Sequence, residues 1–398
     1  MATVTSTETQ NLPISVQADP QPTEEKAAEE KPTEEKAAEE KTAEEKAAEA
    51  KPKIRRAIDE EGDNAVPATY PHYLPVWDHG EKYPPLEPFE HIEKGKGADP
   101  TFKDLLTEGF KLQHLTPTTG SEVSGVQLSK LSDAGKDQLA LLVAQRKVVA
   151  FRNQDLADLP PQEAVALGSH FGPLHIHPTG PTAEGHPELM IVHRTVNTSE
   201  YDLILGNRNS TVAWHSDVTY EKQPPATTFL YALDVPEVGG DTAFVNQVEA
   251  YNRLSPLFKE RLHGLKAVHS GIEQVEFSKK REGIVKREGI TSEHPLVRTH
   301  PATGEKALFV NKIFTRKIVG FKDEESEALL NFLYDHIGRG IDYQARVKWA
   351  PGTVVIWDNR VTSHSAIVDW TTGERRLLAR ITPQGEAPIE TPYVAEPK

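Results

Sequence analysis

From residue 211 to 381 the chain breaks into short strand-like runs that helices interrupt without regular alternation, and this pattern narrows the fold more than any other feature. Strands are expected at 212–220, 227–233, 242–246, 308–311, 352–357 and 376–381, and helices at 247–263 and 323–336. A doubly wound parallel sheet needs a crossover helix between successive strands, and no such rhythm is present. The pattern predicts a mainly β fold with helical insertions, built on a double-stranded β-helix (jelly-roll) core.

Upstream, Ser132 is placed to cap a helix running to about Gln145, because a serine hydroxyl accepts the free backbone donors of a first turn. A strand at 147–151 and a helix at 160–170, stopping near Gly172, follow. Residues 54–105 combine prolines with large aromatics, as in Tyr70-Pro71-His72-Tyr73-Leu74-Pro75-Val76-Trp77. Proline denies that stretch a regular helix while the aromatics need burial, so it reads as an extended arm packed on the core. Between residues 22 and 50 a ten-residue unit recurs as PTEEKAAEEK, PTEEKAAEEK and TAEEKAAEAK. It has nothing to bury, although Ala, Glu and Lys favour helix. It reads either as a spacer or interaction tail, or as a solvated, replaceable extension. The expected division is a low-complexity, disordered acidic tail at 1–53, the arm at 54–105, the globular domain at 106–385 and a C-terminal tail at 386–398.

The formal charge of -15 argues against nucleic acid as a partner, since phosphate recognition needs a basic face. There are no cysteines, which excludes disulfides, thiolate metal sites and cysteine nucleophiles. No apolar run is long enough to span a bilayer, and residues 1–20 resemble neither a signal peptide nor a mitochondrial presequence. A cytoplasmic protein is expected, with a small anionic molecule as partner, no membrane association, and a homo-oligomeric assembly.

The chemistry concentrates in Trp214-His215-Ser216-Asp217. On an extended strand, positions i and i+2 share a face, so His215 and Asp217 stand side by side. Such a pair is often only a hydrogen-bonded couple. The apolar strand ending in Asp358-Asn359-Arg360-Val361-Thr362-Ser363-His364 offers a further histidine, which completes a two-histidine, one-carboxylate set suited to Fe(II) with three positions left open. Asp358, Asn359 and Arg360 are expected to fix the turn that carries His364. On the last strand, Arg376, Leu378 and Arg380 share one face while Arg375 points away. Two arginines on an apolar strand need anions, either as two structural salt bridges or as two anionic ligands held by planar forks. His175 and His177 read as a second metal pair, or as one structural and one pocket histidine. His269, His294 and His300 read as surface or hydrogen-bonded residues.

Together these pieces resemble the taurine dioxygenase family of Fe(II)- and 2-oxoglutarate-dependent oxygenases over about residues 105 to 385. The matching motifs are FGPLHIHP at 171–178, WHSDVTY at 214–220, GGDT at 239–242, HPLVRTHPATGEKALFVN at 294–311 and WDNRVTSH at 357–364, followed by the arginine strand. The resemblance implies His215, Asp217 and His364 as iron ligands, with Thr242 and Arg376 holding 2-oxoglutarate. It also implies Arg380 and His177 on the substrate, Phe314 as an aromatic wall, and O2 as co-reactant. The pattern departs at Gly180, where taurine dioxygenase has a substrate-contacting tyrosine, and at Thr211, where it has an asparagine. Thr211 takes that substrate-side position, and the two changes predict a roomier pocket less specific for an amine.

The implied reaction hydroxylates the carbon next to a sulfonate, and the product collapses to an aldehyde and sulfite while 2-oxoglutarate becomes succinate and CO2. An alkyl sulfate ester or an aryloxy or alkyl carboxylate would fit the same arginine. Readings from other classes are a redox-silent zinc site and a non-catalytic scaffold acting through the acidic repeat.

Overall fold

The computed structural model describes residues 54–57, 66–194, 209–370 and 374–395. The repeat, and the whole 1–53 segment with it, lies outside the described residues. Eight strands carry the architecture: β1 (Val148–Phe151), β2 (His186–Arg194), β3 (Thr227–Asp234), β4 (Thr242–Asn246), β5 (Gln344–Val347), β6 (Val354–Asp358), β7 (Thr362–Ala366) and β8 (Arg376–Ile381). In the large sheet they run in the order β2–β8–β3–β6–β1, and in the small sheet β5–β4–β7, with antiparallel neighbours throughout. Shorter strands extend the large sheet at both edges. The fold is a jelly roll, mainly β with helical insertions.

Side-chain alternation explains why these segments pair this way. Val148, Ala150, Leu230, Ala232, Val355, Trp357 and Leu378 face Phe244 and Val347 of the small sheet. The intervening residues Val149, Phe151, Phe229, Tyr231, Ile356, Leu377, Ala379 and Ile381 face outward. There they meet Leu139, Leu142 and Val143 of α1 (Asp133–Arg146), and Ala164 and Leu167 of α2 (Pro161–Ser169). A one-residue slip of register would exchange the two faces, so the pattern fixes it. Arg376 and Arg380 share the inner phase with Leu378, and both are buried. Ser132 caps α1 by accepting from the Gly135 N–H. Among the described residues no helix is long and apolar enough to cross a membrane.

Three expected elements differ. Residues 212–220 do not form a strand: His215 makes one isolated bridge, to His364, and a turn follows from Asp217. Val218 adopts φ 39°, a left-handed conformation unfavourable for a β-branched residue, and Glu221 N donates to its carbonyl. The helix expected over 247–263 is two helices, Gln247–Asn252 and Pro256–Leu262. Pro256 has no N–H to donate and holds Ser255 extended, so Ser255 becomes the cap of a new helix. The strand expected at 308–311 is Lys306–Leu308, because Asn311 turns the chain by accepting from the Phe314 N–H.

The Pro-rich arm buries Tyr73 and Leu74 in the outer core, where the Tyr231 hydroxyl donates to the Tyr73 hydroxyl (3.2 Å). Residues beyond 386 also run along the body: Glu390 pairs with His263 at 2.6 Å, and Thr299 N donates to the Ile389 carbonyl.

Candidate active site

His215 enters from the isolated bridge and His364 from β7. Their backbones exchange two hydrogen bonds, His215 N to the His364 carbonyl (3.1 Å) and His364 N to the His215 carbonyl (2.7 Å). The two imidazole centroids lie 4.3 Å apart. Asp217 sits in the turn, and its Oδ1 is 3.8 Å from His215 Nε2 and 3.9 Å from His364 Nε2. One donor atom from each of the three residues falls within 4.8 Å of the others.

The turn that replaces a strand is fastened by Asn359. Its Oδ1 accepts from Asp217 N (2.7 Å) and its Nδ2 donates to the Asp217 carbonyl (3.0 Å). The triplet 358–360 was expected to steady His364, whereas Asn359 grips the loop of Asp217. Ser365 Oγ accepts from Ala213 N, and Ser216 Oγ donates to the Thr362 carbonyl, so both sides of the bridge are stitched to β7.

The protonation states suit a metal. Burial pushes the Asp217 carboxyl up, but Arg380, His364 and His215 outweigh it and hold it at about 2. Burial, reinforced by His215, brings His364 down to about 3, so its ring is neutral near pH 7. His215 Nδ1 donates to the Ala213 carbonyl (2.8 Å), which leaves Nε2 with its lone pair toward the cluster. Asp217 Oδ2 is buried without a hydrogen-bond partner, a ligand oxygen in waiting. Two imidazoles and one carboxylate, with no thiolate in the chain, fit Fe(II).

The two arginines of β8 are placed differently. Arg376 Nε donates to the Gly240 carbonyl (2.8 Å), and its Nη2 lies 3.5 Å from Thr242 Oγ1. Thr242 also accepts from the buried Trp349 Nε1 (3.1 Å), a partner that sequence reasoning did not single out. Gly240 adopts φ 69°, and a Cβ there would stand 3.1 Å from Arg376 Cδ, so this glycine makes room for the Arg376 side chain. Arg380 Nη1 donates to Asp217 Oδ1 (2.7 Å), its Nη2 lies 2.8 Å from Met190 Sδ, and its buried Nε has no partner.

His177 is buried, and burial followed by Arg380 lowers it well below the ordinary histidine value. Its Nδ1 accepts from Thr179 N (3.2 Å), so Nε2 carries the hydrogen. His175 instead pairs with Glu221 at 3.0 Å, the structural member of the two. The Phe314 ring stands edge-on to His215 at 6.4 Å. Thr211 accepts from Val368 N through its hydroxyl (3.3 Å). The room expected at Gly180 is already filled: a Cβ there would be 2.7 Å from Met190 Cε and 3.0 Å from His177 Nδ1. His269, His294 and His300 are all buried rather than at the surface, and bond Thr219, the Glu221 carbonyl and Asp358 respectively.

A second group of clustered donors, His91, Glu93 and Glu386, lies elsewhere. Arg360 meets both carboxylates there and is clamped by Asp358 through Nε (2.9 Å) and Nη2 (2.7 Å). Arg298 also meets Glu386, and His300 meets Asp358. Each carboxylate already faces a guanidinium, so this group holds the fold. A cavity of about 680 Å³ flanks Trp214, Lys312, Tyr334 and Arg339, and its lining includes none of the three donors of the His215 cluster.

Comparison with known proteins agrees with this geometry. Residues 111–382 match the family model described as taurine catabolism dioxygenase TauD, TfdA family. An alpha-ketoglutarate-dependent sulfonate dioxygenase of Saccharomyces cerevisiae is 45% identical over 342 residues, covering 85% of this chain and 82% of that protein. Alpha-ketoglutarate-dependent dioxygenase cnsP of Penicillium expansum is 43% identical, covering 83% of this chain and 90% of that protein. A crystal structure of a taurine dioxygenase from Burkholderia xenovorans superposes with a TM-score of 0.58 at 32% identity, over 70% of this chain and 92% of the other. The chain belongs to the TauD/TfdA family and is an Fe(II)- and 2-oxoglutarate-dependent dioxygenase.

Proposed function

We propose that this dioxygenase acts on organosulfonates, hydroxylating the carbon next to sulfur so that the product collapses to an aldehyde and sulfite. The observation that carries the reading is Arg380: a buried guanidinium whose Nε has no partner, on the same carboxylate oxygen that the two histidines approach. In this reading His215, Asp217 and His364 hold Fe(II), which with 2-oxoglutarate and O2 supplies the oxidising power and leaves succinate and CO2. Arg376, beside Thr242, takes the distal carboxylate of 2-oxoglutarate through a charge-assisted fork. Arg380 and the Nε2–H of His177 take sulfonate oxygens, and Phe314 walls the pocket beside His215. The enzyme's part is to fix the target carbon at a set distance from the oxidant and to neutralise both anions on one strand. Support for a sulfonate comes also from the yeast relative, whose name specifies that substrate class.

The test is a combined sulfite and succinate assay over alkanesulfonates, alkyl sulfates and aryloxyacetates, with His215→Ala as control. Sulfite released in step with succinate from sulfonates, and absent with the variant, is expected. Coupled succinate only with sulfate esters or carboxylates would reassign Arg380 to those anions.

A further inference from the structure

We infer that Met190 is a specificity-determining residue, an adjustable wall that sets how long an apolar carbon chain the site accepts behind the anion held by Arg380. The inference rests on the sulfonate reading and adds to it the shape of the rest of the substrate. On β2, Leu189 and Ile191 point into the outer core, so Met190 points to the opposite face. There it lies in register with Arg380 on β8. It is only partly buried, between two fully buried neighbours, so it borders open space on the inner face. Its thioether sulfur lies 2.8 Å from Arg380 Nη2, and its terminal methyl occupies the volume over Gly180, next to His177.

The three nitrogens of the Arg380 guanidinium are unequally matched. Asp217 is a charged acceptor, Met190 sulfur is a weak one, and Nε has none. An incoming anionic oxygen therefore displaces the thioether while the carboxylate contact stays. Methionine is unbranched with three rotatable bonds, so the released side chain can repack along an apolar chain instead of being lost to strain. Gly180 permits this, because any side chain there would contest the space of the Met190 methyl. A thioether offers dispersion contact but no counter-charge, which favours an uncharged alkyl chain.

Met190 is the chain's one methionine besides Met1, which gives a clean probe. In the protein labelled with [methyl-13C]methionine, the Met190 methyl signal is the one lost in Met190→Leu. Ethanesulfonate to hexanesulfonate are titrated anaerobically into protein loaded with Zn(II) in place of Fe(II) and with 2-oxoglutarate. In parallel, sulfite-release kinetics are measured on the Fe(II) enzyme and on Met190→Ala and Met190→Ile. The Met190 methyl signal is expected to shift on sulfonate binding. Met190→Ala should raise the hexanesulfonate to ethanesulfonate ratio of kcat/KM about tenfold, mostly through KM. The stiffer, β-branched isoleucine should lower that ratio. An unmoved methyl signal, or an unchanged ratio in both variants while sulfite is still released, overturns the role of Met190. Absence of sulfite from every sulfonate would instead overturn the substrate reading on which it rests.

Discussion

Two buried clusters of charge in this protein are built from similar parts and behave in opposite ways. Around Arg360, the carboxylates of Asp358, Glu93 and Glu386 are each met by a guanidinium. Around Asp217, two imidazoles and one arginine converge, and one carboxylate oxygen and one guanidinium nitrogen are left without partners. Leaving buried polar atoms unmatched is unfavourable for folding, and a ligand that completes them is one reason a fold retains them. The first cluster, whose carboxylates are all paired and whose Arg298, with Nε and Nη1 unbonded, lies over the Phe309 ring (4.7 Å), ties the arm residue Glu93 to the turn after β6; the second, with a carboxylate oxygen left over, is the one built for a ligand.

The sharpest way to break this comparison is His215→Ala. It should lower turnover by about 10³-fold or more, with no charge-transfer band on anaerobic addition of Fe(II) and 2-oxoglutarate. Stability should change by only about 1 kcal/mol, because the side chain is partly exposed and bonds only a local carbonyl. A large fall in melting temperature would mean that the donor cluster is structural after all. Arg360→Met should show the reverse. Removing one partner from a buried ion cluster costs about 3–5 kcal/mol, a Tm lowered by roughly 10 °C for a domain of this size. The protein that remains folded should still bind Fe(II), and loss of metal binding at full stability would exchange the two roles.

Asn359→Ala should be milder. It removes the two hydrogen bonds that Asn359 makes to the Asp217 main chain, and metal affinity should fall by about 10–100-fold, read by titration of Fe(II) under anaerobic conditions. The smallest effect is acid sensitivity. Burial pushes the carboxyls of Glu93, Asp358 and Glu386 up, but Arg360, joined by His91 at Glu93, His300 at Asp358 and Arg298 at Glu386, outweighs it and holds all three below their ordinary values. Carboxyls with depressed pKa values stabilise the fold above the unfolded value of about 4 and lose that contribution as pH falls toward the folded value. In Arg360→Met the largest lowering influence on all three is lost while Arg298 still faces Glu386 and His300 still faces Asp358, so the stabilisation that acid removes becomes smaller. The gap in melting temperature between the two proteins should therefore narrow from pH 7 to pH 4. A constant gap would show that Arg360 acts through packing alone.

How much of this was legible in the sequence depended on whether a residue's neighbour lay on its own element. The inward phase of Arg376 and Arg380 follows from period-two alternation in one six-residue strand, and the structure reproduces it. The same rule misled at His215 and Asp217. The two do converge, but through an isolated bridge and a left-handed turn held by Asn359, 142 positions away. Ser255-Pro256 did carry a readable signal for the break between two helices. The pairing of Arg360 with Glu93 spans 267 positions, and no local pattern announces it. Nor does any pattern place Met190 over Gly180: that contact depends on strand register, and an absent side chain in a sequence says only that space is free, not what fills it.

The doubled backbone clasp between His215 and His364 has a consequence for how the ion is taken up. Because the clasp is made by main-chain groups, the separation of two of the three donors is set when the sheets close, before any ion arrives. An arriving ion then meets two of its ligands at a separation already set, and need not draw the strands together itself.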